Sequence, residues 1–238
     1  FEHVRIPHSV IEIPYNYIDE NAYQMISCYR KKFAAAEAWA GKRIFVTVDG
    51  AAQVAELYVN GVSEIIHSNG YTSFSADITD ELDFGSGNVN IIAVRLNSRE
   101  DSNIPPFGKV VDYLTYGGIY RGIYLEIEEN DHINDVFIKT SGCDTASTER
   151  TLKTTVKMRI GSDAVDQNNA GRYEIRQSIC DSDGRTIMKY SQEWIPFHMK
   201  SEEQTVETSM TVASASLWNT KTPVLYRCIT ALYLDGNK

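Results

Sequence analysis

Turn-forming residues recur about every ten positions in this chain, and the runs between them alternate apolar with polar side chains, which points to an all-β fold. Asn60-Gly61 sits between Ala55–Val59 and Val62–Ile66, the strongest short hairpin signal a sequence carries. His67 to Gly70 and Gly85 to Asn88 are further turns, and Asp183-Gly184 predicts a hairpin turn in the second half. Between them Ser27–Phe33, Arg43–Val48, Tyr71–Phe74, Val89–Asn97 and Ile119–Leu125 read as strands. The one Ala-rich stretch, Ala34–Ala40, allows a turn or two of helix around Ala35 to Trp39 before Gly41 caps it, with Trp39 plugging the base of a sandwich.

Two segments break the cadence. Residues 1–16, with Pro7 and Pro14, predict an extended arm in which His3 and His8 are polar surface residues. Residues 98–116 form a long loop whose Ile104, Phe107, Tyr113 and Tyr116 argue for packing rather than disorder. The loop delivers Asp112 to a sharp bend at Gly117-Gly118, where glycine permits positive φ or a close backbone approach. Glu81 and Asp83 read as solvated turn residues, Tyr71 and Phe74 as core and loop-packing residues, and Arg121 as an arginine paired internally with a carboxylate.

The acidic, polar run from Glu126 to Asp135 separates two halves, with the boundary near Asn130. The first domain is then 1–129 and the second 130–238. The second restarts at Val136–Lys139 and contains Leu152–Ile160, Gly171–Met188, Thr205–Val212 and Ala213–Leu234, about seven short strands, the number expected of an immunoglobulin-like sandwich.

A formal charge of −9 argues against nucleic acid and against an anionic membrane surface. No apolar run approaches a membrane span. A first residue of Phe1 indicates a fragment or a processed product. The four cysteines, Cys28, Cys143, Cys180 and Cys228, form no C-x-x-C pair, so a zinc site is not expected. A Cys180–Cys228 disulfide is one option and buried thiols the other. The compartment stays open, with thiol usage favouring a reducing cytoplasm. No nucleophile elbow, metalloprotease helix, phosphate loop or dinucleotide fingerprint occurs, and no carboxylate pair stands in a recognisable motif.

The ordered set Pro7-His8, Cys28–Phe33, Gly41–Arg43, Ala55–Gly61, Gly70–Phe74, Asp77–Thr79, Asn90–Val94, Gly117–Arg121, Asp181–Gly184, Leu217-Trp218 and Thr222–Tyr226 resembles the N-terminal region of glycoside hydrolase family 2, the β-galactosidase, β-glucuronidase and β-mannosidase family. The resemblance implies a jelly-roll sugar-binding domain followed by an immunoglobulin-like domain, then a (β/α)8 barrel carrying two glutamates of a retaining mechanism. With the barrel beyond Lys238, no catalytic residue transfers to this chain, which is expected to be inactive alone. It implies that Asp112 binds substrate hydroxyls in the barrel's site and sits by a sodium ion. The family's second binding residue, an asparagine, has Gln24 nearest by spacing and Asn21 nearest by type. No cofactor is expected in this chain, with Na+ or Mg2+ implied for the complete enzyme. The implied partners are a β-galactoside or other glycoside and the protein's own barrel, in a homo-oligomer.

Two other functional classes fit the same strands. One is a stand-alone carbohydrate-binding module using Trp39, Trp194 or Trp218 as an exposed platform; the other is a structural or adhesive pair of sandwiches.

Overall fold

The computed structural model describes residues 1–12, 19–105, 116–142, 147–161, 171–194 and 202–238. The chain divides into two compact units, Phe1–Glu129 and Asn130–Lys238.

Among the described residues, seven strands build the first unit: β1 (Ile26–Phe33), β2 (Arg43–Val48), β3 (Val54–Val59), β4 (Val62–Ser68), β5 (Phe74–Asp77), β6 (Asn90–Asn97) and β7 (Ile123–Glu128). They form a four-stranded sheet ordered β1-β6-β3-β4 and a three-stranded sheet ordered β5-β2-β7. All named pairings are antiparallel, which with the family described below makes a jelly-roll sandwich. Alternate residues of the central strands fill its core: Ile44, Val46 and Val48 from β2, Ala55, Leu57 and Val59 from β3, Ile92, Val94 and Leu96 from β6. Period-two alternation therefore did set which face is buried.

Asn60 and Gly61 take φ of 49° and 93° between the paired Val59 and Val62, the geometry of a type I′ turn. The Ala-rich stretch shortens to a single 310 turn, Glu37–Trp39, after which Gly41 adopts φ 82°; Trp39 packs half-buried against the core. Glu81 and Asp83 lend their backbone carbonyls to Asn60 and to the fully buried Asn90, so these turns are tied to the hairpin rather than merely solvated.

Several expectations need correction. The strand after the glycine pair begins at Ile123, not Ile119, because residues 117–122 instead bond to two other segments at once. The polar run 126–135 is mostly strand: β7 extends to Glu128 and β8 starts at His132. Its side chains are polar because one face of each strand meets water, and the backbone ladder does not need apolar side chains. Tyr71 is 45% exposed, whereas Phe74 is buried as expected. Arg121 is exposed and donates to the Tyr71 carbonyl (3.2 Å) instead of joining a carboxylate inside.

The second unit contains β8 (His132–Ser141), β9 (Arg150–Arg159), β10 (Tyr173–Cys180), β11 (Thr186–Trp194), β12 (Glu203–Val212) and β13 (Arg227–Leu234), in sheets β12-β9-β8 and β11-β10-β13. This is an immunoglobulin-like sandwich with six strands among the described residues. Val156, Met158, Ile160, Tyr173 and Ile175 form its centre. The β10–β11 turn runs from Asp181 to Arg185, where the Asp181 carboxylate accepts from the amides of Asp183 (3.0 Å) and Arg185 (2.8 Å) and Gly184 takes φ 81°. Residues 213–226 are irregular rather than strand.

Cys180 and Cys228 carry free thiols. Cys228 stands opposite Ile179 and Cys180 opposite Arg227, one residue out of register. Cys143 lies outside the described residues.

Candidate functional site

The glycine bend is the centre of a junction at one end of the first unit. Gly118 has φ 120°, and a Cβ there would lie 2.5 Å from the His8 carbonyl oxygen and 2.7 Å from Tyr29 Oη. A Cβ on Gly117 would lie 2.9 Å from Ser98 Cβ and Oγ. Both glycines are therefore required by close approach, and the first-half arm is what approaches. The amides of His8 and Val10 donate to the carbonyls of Ile119 (2.7 Å) and Gly117 (2.9 Å), and on the other side Ala52 and Gly118 exchange a pair of backbone bonds at 2.9 and 3.3 Å.

His8 is half-buried rather than a surface residue. Its Nδ1 lies 2.8 Å from Tyr29 Oη, and the two rings meet edge to face at 5.7 Å. Burial pushes the Tyr29 phenol above its ordinary pKa, against a smaller opposing effect from the backbone of Ile119.

Ser98 joins this junction to the segment before β1. It is 6% exposed and opens the long loop. Its Oγ lies within donating distance of the Tyr23 and Met25 carbonyls, its amide donates to the Met25 carbonyl (3.0 Å), and the Met25 amide donates back to Oγ (3.2 Å). A hydroxyl has a single hydrogen to give, so the two carbonyls share it. Gln24 lies between these two anchored residues and is half-buried. Asn21 is exposed in the preceding 310 turn (Glu20–Tyr23), with its backbone and side-chain amides both donating to the Asp19 carboxylate at 3.0 Å.

The entry of the loop, a few residues past Ser98, is held by Gln53. This 8%-exposed residue donates through Nε2 to the Ile104 carbonyl (2.9 Å), with the Pro105 carbonyl at 3.4 Å, and its amide donates to the Asn97 carbonyl (3.2 Å). The buried Ile104 and a turn capped by Asp101 complete the entry. Asp112 itself lies outside the described residues. The structure thus brings the two ends of its loop and the Gln24 segment to one junction, while Asn21 is engaged by Asp19. Nothing in the sequence marked Ser98 or Gln53: a serine after a strand and a glutamine before one carry no motif, and their roles arise only from which carbonyls the fold leaves beside them.

Among the described residues, no group of three or more His, Cys, Asp or Glu side chains is placed to hold a metal ion, and no described helix is long and apolar enough to cross a membrane. Trp218 is 58% exposed, and Leu217 and Leu225 are exposed as well.

Residues 6–128 match the sequence model described as "Glycosyl hydrolases family 2, sugar binding domain", and residues 131–238 match "Glycosyl hydrolases family 2". A β-galactosidase of Thermoanaerobacter pseudethanolicus is 39% identical over 156 residues, 66% of this chain and 21% of that protein. A β-glucuronidase of Formosa agariphila is 28% identical over 92% of this chain and 23% of its own length. Among solved structures, a family 2 glycosyl hydrolase from Bacteroides cellulosilyticus superposes with a TM-score of 0.77 at 26% identity, covering 98% of this chain and 30% of that one. A Bacteroides uniformis β-glucuronidase shares the fold, with a TM-score of 0.80 at 24% identity over 98% of this chain and 27% of its own. The chain spans about a fifth of the length of the first β-galactosidases it matches. With both domain models matched in order along nearly its whole length, this chain belongs to glycosyl hydrolase family 2.

Proposed function

We propose that this chain is the non-catalytic N-terminal part of a β-galactosidase, and that it supplies a substrate-binding loop to a catalytic barrel elsewhere in the complete polypeptide. The observation that supports it is the pair of domain matches in order, together with β-galactosidases at 39 and 40% identity among the relatives. The junction gives the proposal a physical form. Gln53 grips the loop's entry, and Gly117 packs against Ser98 at its exit. Asp112 then offers a carboxylate to sugar hydroxyls through charge-assisted hydrogen bonds. The same hard oxygen donor suits a sodium or magnesium ion in the complete enzyme. Gln24, held between two residues that Ser98 anchors, fits the second binding position better than Asn21, whose amide is engaged by Asp19.

The acid and the nucleophile of a retaining glycosidase must flank the scissile bond about 5 Å apart, and in this proposal both belong to the barrel. The test compares nitrophenyl galactoside and nitrophenyl glucuronide on the complete polypeptide and on residues 1–238 alone. The proposal expects galactoside hydrolysis by the former and none by the latter. A preference for the glucuronide, or turnover by the 238-residue chain, overturns it. A second reading, a stand-alone sugar-binding module, draws on the exposure of Trp218. Quenching of its fluorescence by millimolar galactose in the isolated chain favours that reading.

A further inference from the structure

We propose that the outer face of the sheet β11-β10-β13 binds a carboxylate-bearing sugar, with the anion held between Arg176 and Lys189. That a sugar carries the anion rests on the reading of this chain as part of a glycosidase; the preference for an anion rests on the face itself.

Alternation in β10 buries Tyr173, Ile175, Gln177 and Ile179 and leaves Glu174, Arg176 and Ser178 on the opposite face. Strand pairing completes that face as three rows. Glu193, Glu174 and Tyr233 make the first, Ser191, Arg176 and Ala231 the second, and Lys189, Ser178 and Ile229 the third. Ser178, Ser191 and Ala231 are small, and all three adjoin Arg176. The longer side chains around them leave a hollow of about 430 Å3, lined also by Tyr190 and Lys238.

Arg176 is set in place before any ligand arrives. Its guanidinium lies over the Tyr233 ring, 3.9 Å from the centroid, and donates to the Glu174 carboxylate (2.6 Å), which also accepts from the Ser191 hydroxyl. A guanidinium carries five N–H groups in a fixed fork, so these contacts orient it without exhausting it. Lys189 is exposed and forms no ion pair among the described residues. It stands directly opposite Ser178, the next residue after Arg176 on this face of β10. An oxyanion over the Ser178 hydroxyl therefore meets a cation on either side. Glu174 is compensated by its pair with Arg176, which leaves the hollow positive through Lys189 in a chain of formal charge −9. The rest of the ligand has what a sugar ring uses: Ile229, 45% exposed, for its C–H groups, and the Ser178 and Ser191 hydroxyls for its own. A donor held in position beforehand loses little freedom on binding, so a single anion can be captured at modest cost.

Methyl glucuronide, methyl glucoside and inorganic phosphate, each titrated into the 238-residue chain, test this, with the backbone amide shifts of Arg176, Ser178 and Lys189 as the readout. The glucuronide should move these amides with a dissociation constant at least about tenfold below that of the glucoside, which lacks the charged acceptor. Added salt should weaken it. Lys189→Gln, an exposed change, should weaken the glucuronide roughly three- to tenfold and Arg176→Gln about tenfold or more, with the glucoside unaffected by either. Equal binding of glucuronide and glucoside overturns the proposal, as does the absence of shifts with all three probes or a Lys189→Gln chain that binds the glucuronide as before. Phosphate binding as tightly as the glucuronide overturns the assignment to a sugar. None of these results bears on nitrophenyl galactoside hydrolysis by the complete polypeptide, so this proposal and the galactosidase reading can fail separately.

Discussion

Replacing Gly118 with alanine separates two costs that a glycine can conceal. The first is conformational: at φ 120° an L-residue is strained by roughly 1–3 kcal/mol. The second is steric. The new Cβ would stand 2.5 Å from the His8 carbonyl oxygen and 2.7 Å from Tyr29 Oη, and the first of these is backbone that cannot swing aside. Relief requires the arm to lift away. That breaks the His8-to-Ile119 and Val10-to-Gly117 backbone bonds and the His8–Tyr29 contact, at about 1 kcal/mol each. The sum is about 4–6 kcal/mol, so the first unit should melt roughly 15–22 °C lower.

Gly41 is the control. Its φ is 82° but a Cβ there meets nothing within 4 Å, so Gly41→Ala should cost only the conformational part, about 1–2 kcal/mol. Urea denaturation of both variants gives the difference directly. Amide exchange at His8 and Val10, and tryptic cutting after Arg5, report whether the arm has lifted. The phenol of Tyr29, held above its ordinary pKa by burial, should titrate lower once exposed. If Gly118→Ala costs no more than Gly41→Ala, or if the arm amides stay protected, the close-approach argument for this glycine is wrong.

Asp112→Asn in the complete enzyme should lower kcat/KM by roughly 10- to 150-fold, the loss of one charge-assisted bond of about 1.5–3 kcal/mol. Stability should move by no more than about 0.5 kcal/mol, and a fallen melting temperature with unchanged kinetics would make the residue structural. Ser98→Ala leaves the Met25 amide and two carbonyls without their shared hydroxyl and should destabilise the first unit by about 1–3 kcal/mol in urea titrations. Tyr173→Phe removes the phenol that donates to Asp131 (2.7 Å) and should cost the second unit about 1–2 kcal/mol, leaving the carboxylate the Gly161 amide. Hydrogen bonds from Arg176 and Ser191 hold the Glu174 carboxyl down to about 2 from an ordinary 4.5. A depressed carboxylate adds stability above its unfolded pKa that is lost as pH falls through the folded one, so the contribution is complete above about pH 4.5 and disappears toward pH 2. Glu174→Gln should flatten the melting curve's pH dependence in that window, measured by calorimetry.

Local chemistry made much of the fold legible. Asn60-Gly61 encodes its own turn, because an asparagine–glycine pair tolerates two left-handed residues whatever surrounds it. Alternation in Ile44–Val48 and Leu57–Val59 named the buried faces, because a strand must present every second residue to the same side. Gly117-Gly118 announced a close approach from composition alone. Where the reading failed, the deciding partner was distant in sequence. Residues 119–122 look like a strand yet bond to Gly50 and Asp49 through bends. The 126–135 run looks like a linker, yet its backbone pairs with β2 on one side of the boundary and β9 on the other.

The sequence by itself determined the all-β class, the positions of its turns and the loop that ends at the glycine bend, since each follows from φ preferences and side-chain period within a few residues. Only the tertiary structure decided that β1 lies on β6 and that the arm closes over Gly118. It alone showed that Ser98 and Gln53, residues without a motif, grip the segments around the candidate site. Those facts depend on which carbonyls and amides remain unpaired once the sheets have closed, and no window of sequence contains both partners.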